Sequence, residues 1–411
     1  MTHFKQKLSN YAKIAVEIGA NVQPGQILHV RATTDTVDFV RLVVEHAYRV
    51  GAKRVDVDWS DDSITKLRYA LAPDGSFDEF PEWKAMERTK LAEQNATFMS
   101  IISDDPDLLN GVDPVRVQQQ QKASSEALRP FYRLLQADAF SWTVIAAPSV
   151  AWAKKMFPTL SDEEAVDALW EAIFKTVRAD EDDAVVAWKA HDATLHQRAD
   201  QLNELQIETL HYEAPGTSLS IGLPDGHLWT GGSSVNKSGT RFMANMPTEE
   251  VFTVPHRERV NGTVASTKPL SYNGTIIEDF SFTFQDGKVV DDHAERGEEA
   301  LTQLLETDEG SRFLGEVALV PHDSPISNMN VLFYNTLFDE NASNHLALGS
   351  SYTFCLEGGK EMTVEQTTAA GLNESLTHVD FMIGCATMSI DATLKDGRRV
   401  PIFREGNWAF S

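Results

Sequence analysis

"ILHVRATTDTVDFVRLVVEHAYRVGAKRVDVDW", residues 27–59, decides the fold of the first half of this chain. Residues 27–32 follow the turn Gln23-Pro24-Gly25 and read as a buried strand. Residues 36–50 place apolar side chains at helical spacing and stop at Gly51, a residue suited to the left-handed backbone that closes a helix. Residues 53–59 then return as a strand. A strand, a helix and a strand in this order form a β-α-β unit, which implies a parallel sheet.

Working outward, further strands are predicted at 97–103 and 142–149. Between them runs a long helix with Asp113 as its N-cap and Pro114 in its first position. Ser161 and Glu164 have the spacing of a capping box, ahead of a helix carrying Leu169, Trp170, Ile173 and Phe174. Another helical stretch over 183–204 closes this half. From about Ile207 the texture changes to short alternating runs punctuated by PDG at 224–226, YNG at 272–274, QDG at 285–287 and KDG at 395–397. One helix is predicted around 292–305. The expected architecture is an N-terminal α/β domain with a parallel sheet over 1–205, followed by a β-rich α+β domain over 206–411.

With 61 acidic against 36 basic residues, the formal net charge is −25. Such a field repels nucleic acid and anionic lipid, so neither is expected as a partner. No apolar run is long enough for a bilayer, and the first residues lack the apolar core of a secretory signal. Only Cys355 and Cys385 are present, too few for a disulfide framework, which points to a cytoplasmic protein with both thiols buried in strands. "GGSSVNKS" at 231–238 nearly spells a phosphate loop, but Asn236 stands where the second glycine belongs and no helix pattern follows.

Four segments of the second half offer metal ligands. "TEEVFTV" (248–254) puts Glu250 at the mouth of an apolar strand, and "FLGEVALVP" (313–321) sets Glu316 in an apolar run. "THVDFMIG" (377–384) holds His378 and Asp380 two apart, hence on one strand face, with Val379 and Phe381 on the other. "FDENASNHLALGSSY" (338–352) has the composition of a loop, yet it carries Asp339, Glu340, His345 and Tyr352. Taken singly, Glu250 and Glu340 read as solvated, His378 and Asp380 as a polar pair, and Tyr352 as a packed aromatic. Glu316 is harder to dismiss, because an ionised carboxylate among apolar neighbours needs a partner or a cation. Together, four carboxylates and two imidazoles suffice for two divalent ions, and oxygen with nitrogen donors suits Zn²⁺, Co²⁺ or Mn²⁺, with Mg²⁺ also open.

At "NMPTEEVFTVP" (245–255), "FLGEVALVP", "FDENASNHLALGSSY" and "THVDFMIG" the sequence resembles the M29 family of metallo-aminopeptidases, the aminopeptidase T and aminopeptidase S group. The likeness extends through "PIFREGNW" (401–408). It implies a metal-dependent aminopeptidase that releases N-terminal residues from peptides with broad preference, acting in the cytoplasm as a homodimer. The β-rich half would be catalytic. Carried over, the resemblance makes Glu250, Glu316, Glu340, His345, His378 and Asp380 the ligands of a dinuclear centre and Tyr352 an active-site residue. Glu249 is expected at the surface, because neighbours on a strand face opposite ways. The alternatives are a dinuclear hydrolase of another amide or of a phosphoester, and a non-catalytic metal-binding protein.

Overall fold

Leu28, Val30 and Ala32 alternate onto a buried face of the strand Ile27–Thr33, and this strand pairs in parallel with Arg54–Ser60 on one side and Thr97–Ile102 on the other. Trp142–Ala146 adds a fourth parallel strand beside Thr97–Ile102. The crossover helix Val37–Arg49 buries Phe39, Val40, Val43 and Ala47, one stripe at helical spacing. Gly51 closes it at φ +97, with Pro24 at 3.3 Å from where a Cβ would stand. The computed structural model describes residues 3–103, 105–272 and 275–410.

Both expected helix starts are present. The Asp113 carboxylate accepts the Val115 N–H at 2.9 Å at the head of the helix Pro114–Gln136. Ser161 and Glu164 form the reciprocal capping box of the helix Asp162–Thr176. The Tyr11 hydroxyl donates to the Ala146 carbonyl at 2.9 Å, tying the first helix, His3–Ile14, to the end of the last parallel strand. These elements belong to one of two compact units, made of Met1–Ala190 with Ser233–Pro247; the other comprises His191–Gly232 with Thr248–Ser411.

The second unit contains two antiparallel sheets. One has five strands in the order His378–Met382, His345–Gly349, Leu314–Leu319, Val251–Thr253 and Thr230–Gly231. The other has nine strands, with the long hairpin Thr275–Gln285 and Lys288–Arg296 near one edge. Side chains of both sheets, among them Val317, Leu346, Phe381, Phe282 and Ile390, share one buried core. The hairpin turns on Asp286 and Gly287, at φ 49 and φ 85, the mirror-image turn that matches strand twist. Gly226 and Gly397 also take positive φ in their turns, at 76 and 84. Of the YNG turn, Asn273 and Gly274 lie outside the described residues, although Tyr272 and Thr275 pair on either side.

The helix expected from 292 begins later, as Glu298–Leu305. Residues 292–296 continue the hairpin strand, where Ala294 packs inward opposite Phe280 while its neighbours face outward. Gly297, at φ 78, makes the change of direction. Among the described residues no helix is long and apolar enough to cross a membrane.

Candidate metal centre

The five-stranded sheet explains why these side chains converge. Glu316 stands opposite Ala347 on the next strand, and Ala347 stands opposite Asp380 on the one beyond. Residues opposite each other share a face. Ala347 is the small residue of that row, so the two carboxylates reach toward each other above it. His345 lies two residues from Ala347, and His378 two from Asp380, on the same face. Val317, Leu346, Leu348 and Phe381 alternate to the core. Gly349, opposite His378, takes φ 111, and a Cβ there would stand 2.2 Å from the Thr377 carbonyl oxygen. No other residue type fits that approach.

Glu316 sits between the two imidazoles. His345 Nε2 is 3.5 Å from Glu316 Oε1, and His378 Nε2 is 3.4 Å from Glu316 Oε2. On the outer sides, His345 Nε2 is 3.1 Å from Glu250 Oε2 and His378 Nε2 is 3.4 Å from Asp380 Oδ1. Two groups of three therefore share one member: Glu250, Glu316 and His345, and Glu316, His378 and Asp380, each with donor atoms within 4.8 Å of one another. Both imidazoles are oriented from behind. His345 Nδ1 lies 3.1 Å from the Ser343 carbonyl and His378 Nδ1 2.8 Å from the Ser350 carbonyl. Donation to those carbonyls turns each Nε2 into the cluster, the orientation a metal ligand needs once a cation takes the place of its proton.

Burial and crowding dominate the electrostatics. Burial alone would depress both histidines, but the adjoining carboxylates hold them well above their usual range. Glu316 is held down to about 2, because hydrogen bonding to His345 and His378 outweighs its burial. Glu250 is raised by burial, and Glu340 is raised well above the carboxylate range by burial and then by Asp380 and Glu250. Glu340 thus stands beside the cluster, half-buried, outside the two groups of three. Glu250 Oε2 and Asp380 Oδ1 are buried and accept no hydrogen bond. Carboxylate oxygens buried in this way call for positive charge. Oxygen and imidazole donors without thiolate fit a hard or borderline divalent cation.

Tyr352 flanks the cluster, its ring 4.8 Å from that of His378 and stacked on Phe354 at 5.2 Å. Burial, then the nearby carboxylates, raise its hydroxyl well above the usual phenol range. Neither cysteine lies in a strand. Cys355 is buried in the turn Thr353–Cys355 and Cys385 is half-buried, both as free thiols. Burial holds the Cys355 thiol protonated, which removes it as a ligand.

Glu249 departs from expectation. It is buried, 6% exposed, because residues 248–250 precede the strand Val251–Thr253 and the alternation rule does not reach them. Its N–H donates to Asn341 Oδ1 at 2.7 Å, and its carboxylate lies 3.6 Å from His191 Nε2. His191 also contacts the Thr248 carbonyl at 2.7 Å. Sequence reading missed His191, since nothing in a helix pattern indicates which distant loop one of its side chains will meet. Asp339 is also buried, but its oxygens accept the N–H groups of Phe333 and Asn335 at 2.8 and 3.0 Å, a structural role in the chain before the cluster.

Comparison with known proteins identifies the family of the chain. The family described as thermophilic metalloprotease (M29) matches residues 4–408. Aminopeptidase AmpS of Bacillus subtilis (strain 168) is 58% identical over 410 residues, covering 100% of both chains. Aminopeptidase 2 of Geobacillus stearothermophilus is 50% identical, over 100% of this chain and 99% of the relative. The solved structure of wild-type AmpT from Thermus thermophilus superposes with a TM-score of 0.94 at 42% identity, covering 99% of this chain and 100% of that one. From its first helix to its last strand, the chain belongs to the M29 family of metalloproteases.

Proposed function

We propose that this protein is a metallo-aminopeptidase that removes N-terminal residues from peptides at a dinuclear centre, with broad preference. The observation that carries the reading is Glu316, which offers one oxygen to each of two adjoining ligand groups. Glu250 and His345 would hold one ion, His378 and Asp380 the other, with Glu316 between them and Glu340 completing the set. Two Zn²⁺, Co²⁺, Mn²⁺ or Mg²⁺ ions supply Lewis acidity and lower the pKa of a water at such a site. The chain's own groups do the rest. The Ser343 and Ser350 carbonyls hold both imidazoles in orientation toward the cluster. The Tyr352 hydroxyl, held protonated, serves as a donor to the oxyanion that develops on the scissile carbonyl.

The excess of carboxylates favours a substrate with a free ammonium end. We infer further that the chain acts as a homodimer, as the resemblance implies, and in the cytoplasm, which two free thiols suit. The test is a paired assay on chelator-treated protein with one metal restored at a time, using leucine anilide and its N-acetylated form. Metal-dependent cleavage of the free form alone is expected. Equal cleavage of both would replace this reading with a general amidase. Tight metal binding without cleavage of either would point to another bond or to a metal-binding protein.

A further inference from the structure

Beside the cluster lies a cavity of about 20 Å³, walled by Leu270, Ile276, Leu332, Tyr334, Asp380 and Met382. Its place follows from the strand His378–Met382. His378, Asp380 and Met382 alternate onto one face, each pair separated by about 7 Å. Phe381 turns away and packs on Phe282 at 5.2 Å. The cavity therefore begins at a carboxylate of the cluster and ends one side chain further along the same face.

The opposite wall is unusual in its backbone. Tyr334 has φ 55, a left-handed conformation that a bulky side chain seldom adopts. It is fixed from both sides, because the flanking Phe333 and Asn335 N–H groups donate to the two oxygens of Asp339. Asp339 is itself 4% exposed, so this grip is shielded from water. Asn335 adds a cap to the next helix by accepting the Leu337 N–H at 3.1 Å. Strained residues of this kind persist where the surroundings over-determine them, and they gather at binding sites. Here the left-handed backbone fixes Tyr334 in the wall of the cavity.

We propose that this cavity receives the side chain of the substrate's N-terminal residue, and that Tyr334, gripped by Asp339, sets its depth. This rests on the aminopeptidase reading above. In such a substrate the first Cα lies between the amine and the scissile carbonyl, so its side chain must leave directly from the cluster. The cavity adjoins Asp380, and its apolar walls at Leu270, Ile276, Leu332 and Met382 are interrupted by Ser271, Asn335, Thr336 and Asp339. It is too small to pass a peptide, having room for about one water. Small side chains therefore enter without rearrangement, and longer ones are admitted by displacing Tyr334.

The test measures kcat/KM on alanine, leucine and phenylalanine anilides for metal-restored wild type, Tyr334→Ala and Tyr334→Gly. Glycine suits the left-handed backbone, so the second variant removes the ring without strain. Opening the cavity should raise the phenylalanine-to-alanine ratio about tenfold or more in both, the scale on which apolar pockets discriminate. Asp339→Asn, which weakens one arm of the grip, should move the ratio in the same direction by less. Thermal shifts with free phenylalanine and alanine on the same proteins should follow the same order. An unchanged or lowered ratio in both Tyr334 variants, with the wild type active, overturns the assignment. A wild type that cleaves none of the anilides with any metal overturns the aminopeptidase reading and this inference with it.

Discussion

The side-chain oxygen of Asn341 accepts the backbone N–H of Glu249 at 2.7 Å, joining the loop of one proposed ligand, Glu250, to that of another, Glu340. The Asn341 amide nitrogen also reaches Glu340 Oε1 at 3.3 Å and the Leu337 carbonyl at 3.0 Å. Asn341→Leu should leave a buried N–H unmet and cost about 2 kcal/mol in urea unfolding. Its metal affinity should also fall by roughly 10- to 100-fold, as when the groups that orient ligands are lost. Unchanged metal affinity would show that Asn341 serves the fold alone.

Glu316→Gln and Asp380→Asn should differ in metal content. Removing the residue between the two imidazoles should deplete both positions, whereas losing Asp380 should deplete one. Elemental analysis per chain after dialysis separates the two patterns. His378→Ala should abolish turnover with an unchanged circular dichroism spectrum.

Tyr352→Phe keeps the ring that stacks on Phe354 and removes only the hydroxyl. The expected result is a fall in kcat with KM little changed, since the hydroxyl is needed more in the transition state than in the ground state. A change confined to KM would place Tyr352 in substrate binding.

Chelation should lower the melting temperature, and restoring metal should raise it in step with concentration. Free metal at 100 times its Kd stabilises by about 2.7 kcal/mol per site. Calorimetry across a metal titration checks this; a melting point indifferent to metal would argue against a folded-state site.

At Gly287 an added Cβ would stand 1.6 Å from the Arg257 carbonyl oxygen, at a backbone φ of +85. Gly287→Ala should cost more than about 2 kcal/mol. Gly75→Ala, where nothing lies within 4 Å, is the neutral control. Denaturant midpoints compare them directly.

The legible parts of this protein were those whose cause is local. The β-α-β unit, the Asp113 cap and the Ser161–Glu164 box each rest on a few neighbouring residues, and each is present. The β-rich half was legible from its turn residues. Of the candidate ligands only Glu316 stood out by itself, as a carboxylate in apolar company; the full set came from the family resemblance, and their meeting depends on register, with Ala347 between Glu316 and Asp380. What stayed hidden depends on partners distant in sequence. Glu249 reads as exposed until Asn341 and His191 are placed around it. The helix expected from 292 yields its first residues to a strand because Phe280 offers Ala294 a partner across the hairpin. No pattern announces the left-handed backbone of Tyr334, which Asp339 imposes from five positions away.

The proposed ligands come from strands and loops spread between Glu250 and Asp380, and they face one another only once the five-stranded sheet has zipped to its last strand. A chain emerging during synthesis would present them separately, each too weak to keep an ion. Metal capture would then be among the final events of maturation, after the slow pairing of distant strands. The ion that a new molecule acquires would be set by what the cell has free at that moment.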